Sequence, residues 1–262
     1  MLNQGIANSI NTVPKLRQRV ACNRSSSHDF DRFVLDLMDP DAEDSVLDLG
    51  PGLGKQLIPV AGRVRRVLGL DVSPEIVAEL HTQVSGPSVE LVVADMDDLA
   101  ALDLGGRFSL AYAVYSLYYS TDPARVVRAV AELLEGPRAR FVVVVPDRDN
   151  NAGWFADLGR LYELPAEARE TPHLGRDIIL PAFLDVFPTV TSATFRSDVR
   201  FGGLDELMRY YDACAPYCRP DKRDEARECF RASFERQGSY CISKHSLALT
   251  GRPRGSRPDR TR

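Results

Sequence analysis

The stretch VLDLGPGLGKQ, Val46 to Gln56, runs from an apolar strand into three glycines at every second position, Gly50, Gly52 and Gly54, with Asp48 just ahead of them. Glycines directly after a strand let the backbone turn tightly and pass close to a bound molecule. Two phosphate-binding patterns can be tested here. A P-loop, G-x-x-x-x-G-K-[ST], ending on Gly54-Lys55 would put its first glycine at Leu49, and Gln56 stands where the magnesium-binding hydroxyl belongs. A dinucleotide-binding G-x-G-x-x-G begun at Gly50 and Gly52 would need its third glycine at Lys55. Both patterns fail. Asp48 would be repelled by a pyrophosphate but stabilised beside an ammonium or sulfonium, so the loop is expected to face a ligand that is cationic at that point.

Outward from this stretch, short β-branched runs alternate with helical patterns. VLDLG, VRRVLGLD, VELVVAD, FSLAYAVY and RFVVVVPD read as strands bounded by Gly, Pro or Asp. KQLIPVAGRV, SPEIVAELHTQV and DPARVVRAVAELL read as helices, the second capped by Ser73 with Pro74 in its first turn. Past Pro146 the rhythm loosens. NAGWFADLGRLYEL reads as a helix, PAEARETPHLGRDI as an irregular insertion and TVTSATFRSDVRF as a long strand. LDELMRYYDACAPYC and DKRDEARECFRASFERQ follow as helices, and GSYCISKHSLALTG as a last strand.

The seven strand runs predict an α/β fold with a doubly wound, mostly parallel, seven-stranded sheet and helices on both faces. Ligands in such sheets bind at the carboxyl ends of the strands. The expected organisation is an N-terminal helical flap over 1–40, a main domain over 41–250 with lid insertions at about 150–180 and 203–236, and a basic tail over 251–262.

The pattern D-L-G-P-G-L-G resembles the first motif of the class I S-adenosylmethionine-dependent methyltransferases, small-molecule type. The resemblance covers about Asp44 to Asp147 and implies a Rossmann-like fold with S-adenosylmethionine as cofactor. It implies that Asp48, Gly50, Pro51 and Gly52 form the methionyl side of the cofactor site. Asp71, with Val72, closes the second strand where the family binds the ribose hydroxyls. Asp95, ending the third strand, would take the adenine amino group, with Met96 against the ring. Asp97 and Asp98 are alternatives read as a helix cap. The run FSLAYAVYSLYYSTD matches the family's fourth strand in register, which implies that the backbone near Ala113 and Val114 holds the methionyl ammonium. Two positions depart from the family: Ser109 replaces an Asp, and Tyr118-Tyr119 replaces a His pair.

Methyl transfer is an in-line displacement, so such an enzyme mainly aligns a nucleophile and excludes water. The histidines are His28, His81, His173 and His245. Only His173, in the PHLG insertion, is placed over the pocket by this reading, and His173 and Tyr118 are the candidate catalytic residues. Tyr115, Tyr119 and Tyr211 are candidates for an aromatic-walled acceptor pocket. The expected activity is methylation of a small organic molecule in specialised metabolism. Alternatives are the same fold and cofactor without methyl transfer, as a non-methylating catalyst or binding protein, and a methyltransferase acting on RNA or protein.

Composition limits the partners. A formal charge of −4 over 262 residues, with the tail supplying five Arg against one Asp, leaves an acidic body that does not favour nucleic acid. The apolar run at Phe141–Val145 is too short to cross a bilayer, and the N-terminal stretch has no apolar core of a signal sequence. The expectation is a cytoplasmic protein without a membrane partner, monomeric or homodimeric. The five cysteines include no C-x-x-C pair, and no metal site is expected from them.

Overall fold

The computed structural model describes residues 12–22, 26–84, 86–214 and 217–256. Helices α1 (Val13–Cys22) and α2 (Phe30–Met38) precede the sheet. Then β1 (Ser45–Leu49), α3 (Leu57–Ala61), β2 (Arg66–Asp71), α4 (Pro74–Gln83) and β3 (Val89–Val93) alternate. β4 (Leu110–Val114), α5 (Pro123–Leu133) and β5 (Arg140–Pro146) continue the pattern, with short 3-10 turns at Met96–Ala101 and Leu117–Tyr119. Helices α6 (Ala152–Gly159), α7 (Ala166–Leu174) and α8 (Leu180–Val186) lead to β6 (Thr189–Phe201). Helices α9 (Leu204–Ala213) and α10 (Arg223–Gln237) lead to β7 (Tyr240–Arg252).

Local chemistry fixes these boundaries. Asp29, Ser73 and Asp122 cap α2, α4 and α5, each side chain accepting a hydrogen bond from a backbone N–H three residues on, and Pro74 and Pro123 occupy the first turn. β5 is buried at every position, as a central strand covered on both faces must be.

The sheet order is β3-β2-β1-β4-β5-β7-β6. β1 to β5 pair in parallel, and β7 runs antiparallel to both of its neighbours. One face packs on α5 and α8 through Val127, Val130 and Phe183; the other packs on α2 and α3 through Val34, Met38, Leu57 and Val60. A separate apolar cluster centres on Trp154 of α6, stacked on Phe230 of α10 at 4.9 Å and joined by Tyr210, Tyr211 and Tyr240. It gathers around the outer half of the long β6–β7 ladder, which runs from Thr189 opposite Arg252 to Phe201 opposite Tyr240.

The segment read as an irregular insertion is helical. α7 begins after Pro165, carries Pro172 inside it and runs through a π turn at Gly175–Ile179 into α8. The prolines that read as breakers fall where the helix starts or widens its turn, and Gly175 packs so closely that a Cβ there would lie 2.8 Å from Val145. Of the expected flap and tail, 1–11, 23–25 and 257–262 lie outside the described residues, and Gly251 and Arg252 belong to β7. Among the described residues, no helix is long and apolar enough to cross a membrane.

At the amino ends of the strands, Arg140 of β5 and Asp44 form an ion pair at 2.8 Å with side chains 1% and 2% exposed. The guanidinium also donates to the carbonyls of Met38, Asp39 and Arg138. Ser109, the departure from the family pattern, donates to Asp44 Oδ1 at 2.6 Å and thereby joins this network rather than the site. Burial pushes the Asp44 carboxyl up, but hydrogen bonds and charge from Arg140, with Ser109, outweigh it and hold the group below its ordinary value. Its stabilising contribution is present above the unfolded-state value and lost as pH falls through the folded one. Arg140→Met should therefore cost about 3–5 kcal/mol at neutral pH by leaving a buried carboxylate unpaired. In urea unfolding the deficit should shrink on acidification; an equal deficit at both pH values would show that lost packing, not charge, is responsible.

Candidate functional site

The connections after β1 and β4 leave the sheet in opposite directions, and the crevice between them opens into a cavity of about 400 Å³. Its floor is the glycine loop. Gly50 and Gly52 have φ of +77° and +54°, conformations that side chains disfavour. The two positions differ in surroundings. A Cβ on Gly50 would lie 2.6 Å from Ser116 Cβ, whereas one on Gly52 would meet nothing within 4 Å. Gly50 is thus packed against the β4 end, where Ser116 Oγ donates to the Leu49 carbonyl, and Gly52 faces open space.

Asp71 ends β2 with its carboxylate accepting from the Gly52 N–H at 3.3 Å and the Ser73 N–H at 3.0 Å. Burial raises its pKa despite those bonds. Asp95 caps the 3-10 turn at Met96 by accepting from the Asp97 N–H at 2.9 Å, so the cap alternative falls to Asp95 itself. Asp97 instead binds the Ser120 and Thr121 hydroxyls across the turn. Pro51, Val72, Met96 and Val114 line the same end of the cavity.

Four expected site residues lie elsewhere. Asp48 is 2% exposed and does not line the cavity. Like the rest of β1 it is buried in the sheet, opposite Tyr112 of β4, and burial pushes both groups' pKa values up, against the charged carboxylate that the sequence reading placed at the ligand. Asp71 and Asp95 are the carboxylates at the cavity. Ala113 is fully buried within β4, facing the core cluster. His173 is exposed on α7 and absent from the lining, because its segment is a helix packed outside the sheet rather than a loop over the pocket. Tyr211 belongs to the Trp154 cluster, where its hydroxyl donates to the Arg219 carbonyl at 2.6 Å; its neighbour Tyr210 lines the cavity instead.

The other end of the cavity is aromatic. Tyr118 and Tyr119 pack with ring centroids 4.6 Å apart, and Tyr217 lies near both. Burial raises the Tyr118 pKa well above the ordinary value, so this hydroxyl donates hydrogen bonds rather than taking protons. Tyr115 holds φ +55°, unusual for a large residue. Its hydroxyl shares a 2.8 Å hydrogen bond with Ser246 and its ring meets Phe30 at 5.6 Å, contacts that fix this conformation at the end of β4.

Several lining residues were missed. Phe195, Ser197 and Val199 of β6 and Lys244 and Ser246 of β7 form one wall, with Ser197 opposite Lys244 and Phe195 opposite Ser246. Their every-second-residue spacing was the available signal. Leu16, Arg19 and Val20 of α1 also line the cavity, and α1 is tied to α9 by Gln18 donating to the Arg209 carbonyl at 2.7 Å and to α4 by Arg17 and Glu79. Asn151, in a left-handed conformation, lines the cavity with a buried Oδ1 that has no hydrogen-bond partner among the described residues. Cys214 and Cys218 are buried thiols whose pKa values burial raises. Among the described residues, no three of His, Cys, Asp and Glu converge as a metal site would require.

Residues 46–136 match a family described as a methyltransferase domain. Over this stretch the chain is similar to methyltransferase domains. It is 33% identical over 141 residues to a ubiquinone biosynthesis O-methyltransferase of Xanthomonas axonopodis, covering 53% of this chain and 58% of that relative. The match therefore spans less than two thirds of the relative's length. Among solved structures, the magnesium protoporphyrin IX methyltransferase of Synechocystis, with S-adenosylhomocysteine bound, aligns at a TM-score of 0.54 and 14% identity, covering 94% of this chain and 99% of that one. The [4+2]-cyclase SpnF aligns equally well, at 0.54 and 15% identity over 93% of each chain. At these identities the likeness is one of fold.

The unequal packing of the two glycines yields a stability test. Gly52→Ala should cost only the positive-φ penalty, about 1–2 kcal/mol. Gly50→Ala should cost about 1–3 kcal/mol more, because the new methyl overpacks Ser116. Ser116→Gly should recover part of the Gly50→Ala loss and none of the Gly52→Ala loss in urea denaturation.

Proposed function

We propose that this protein transfers a methyl group from S-adenosylmethionine to a small organic acceptor. The observation that carries the reading is a single cavity with the glycine loop, Asp71 and Asp95 at one end and tyrosines at the other. The residues present fit the cofactor. Gly52 leaves room for close approach, Asp71 and Asp95 offer acceptor oxygens at the strand ends, and Met96 and Val72 offer apolar contact. Gly50, Pro51, Gly52 and Val114 would hold the methionyl part, Asp71 the ribose and Asp95 with Met96 the adenine. When bound, this cofactor supplies an electrophilic methyl group on a sulfonium.

The chain's own residues then have two tasks: to hold the acceptor in line and to keep water out. Tyr115, Tyr118 and Tyr119 sit at the β4 end, between the two halves of the cavity, and Tyr210 and Tyr217 extend the aromatic wall. The helices α1 and α9 act as a lid over this half, a role supported by the contacts that tie α1 to α9 and α4. A cavity of about 400 Å³ lined by aromatic rings supports a small acceptor over RNA or protein. Its lining mixes cations with carboxylates, unlike the basic trough that a nucleic acid needs. Specialised metabolism is the setting we favour for such an acceptor.

Calorimetry with S-adenosylhomocysteine should show micromolar binding, about −8 kcal/mol. Gly52→Val should weaken it at least about tenfold, or 1.4 kcal/mol, while circular dichroism stays native. Released S-adenosylhomocysteine, measured over a panel of small aromatic acceptors, tests the transfer itself. Cofactor binding with no turnover on any small, RNA or protein acceptor would favour the non-methylating alternative, and absence of cofactor binding would overturn the reading altogether.

A further inference from the structure

Lys244 stands out on the acceptor side of the cavity. It lies on β7 opposite Ser197 of β6, half-buried, and its Nζ donates to the Tyr210 hydroxyl at 2.6 Å and sits 5.0 Å from the centre of that ring. Among the described residues no carboxylate pairs with it. The cavity's carboxylates, Asp71 and Asp95, follow β2 and β3, on the far side of β1, β4 and β5 from β7. The titratable groups facing Lys244 are Tyr210 of α9, Cys214 just past its end and Arg19 from α1. Burial raises the pKa values of Tyr210 and Cys214, which keeps them uncharged at neutral pH, and Arg19 adds a second positive charge. A cation withdrawn from water is ordinarily paired, since the lost hydration has to be replaced. Here the fold supplies a phenol, a thiol and another cation, and the open side of the ammonium is the cavity.

We propose that Lys244 seats an anionic oxygen of the acceptor, so that the substrate is a small acid held as its carboxylate or phenolate against Nζ. The inference rests on the methyl-transfer reading of the cavity and narrows its substrate class. Tyr210 and Tyr217 flank the seat and provide faces for the acceptor's apolar body. Arg19, lining the same cavity from α1, adds attraction for the same charge. Burial, with a smaller contribution from Arg19 and against the influence of Cys214, pushes the Lys244 pKa down to about 8. The seat is therefore charged at neutral pH and empties of charge as pH rises past that value, whereas a carboxylate ligand stays ionised throughout.

The test uses the intact protein saturated with S-adenosylhomocysteine, whose own binding is measured first for every variant. Cinnamate, 4-nitrophenolate and the neutral cinnamamide are titrated by calorimetry, with fluorescence of the single tryptophan, Trp154, as a second readout because its ring meets Tyr210 at 5.6 Å. At least one anion should bind about tenfold or more tightly than the amide, as a charge-assisted hydrogen bond requires; which one identifies carboxylate or phenolate as the source. Cinnamate's preference over the amide should fade as pH rises through about 8. Lys244→Met should erase the preference and Lys244→Arg should keep it, both with the affinity for S-adenosylhomocysteine unchanged. Equal affinity for anion and amide, binding of none of the three, or a preference that survives Lys244→Met would overturn the proposal. The pH series on the unaltered protein stands even if Lys244→Met fails to fold. Loss of S-adenosylhomocysteine binding by the unaltered protein would sink the methyl-transfer reading instead, and the two failures are separable.

Discussion

Everything at the site depends on one topological constraint: β1 and β4 lie side by side, and the chain leaves them in opposite directions. A parallel sheet whose connections diverge cannot cover the gap with helices, so backbone alone borders it. That backbone must turn without side chains. Gly50 meets the requirement by packing its bare α-carbon under Ser116, and Gly52 by leaving its own unfilled. The same gap explains Tyr115. The first residue past β4 must turn sharply, and a left-handed tyrosine is tolerated there because Ser246 and Phe30 grip its ring at both ends.

The two ends of the sheet use buried charge in opposite ways. At the amino ends, Arg140 and Asp44 satisfy each other, with carbonyls of Met38, Asp39 and Arg138 taking up further guanidinium donors. Such a network locks α2 and the strand starts, and it offers nothing to a ligand. At the carboxyl ends, charges are left to the cavity: Asp71 spends its oxygens partly on the loop that it supports, and Lys244 has only a phenol. Incomplete pairing costs stability, so it persists where an incoming molecule completes it.

The fold was legible in the sequence because its signals are local. Strand runs such as Arg140–Pro146 and capped helices such as that begun by Ser73 and Pro74 each declare themselves within about a dozen residues. The glycine loop and the strand-end carboxylates were legible for the same reason. Two local signals misled. Prolines at 165 and 172 suggested a loop, yet Pro165 precedes a helix and Pro172 sits inside one that relaxes into a π turn. Asp48 suggested a charge at the ligand, yet every residue of β1 is buried and the cavity lining begins only at Gly50, past the end of the strand.

Beyond Tyr115, Tyr118 and Tyr119, which the strand-end pattern pointed to, the aromatic half of the cavity was not legible, and the reason is geometric. Arg19, Tyr210 with Tyr217, and Lys244 come from three segments spread over most of the chain, and the cavity is where they meet. Only Tyr210 and Tyr217 share a short window of sequence. This division has a chemical consequence. The cofactor half is built from strand ends that the sheet itself fixes, so it is constrained by the fold. The aromatic half is built on elements packed by the Trp154 cluster, which shares Val199, Tyr210 and Cys214 with the cavity wall. Lys244 and Tyr210 stand where that cluster meets the cavity. A side chain there can change the charge or shape of that end of the cavity while the glycine loop and its carboxylates stay as they are, and so one fold can host different chemistries.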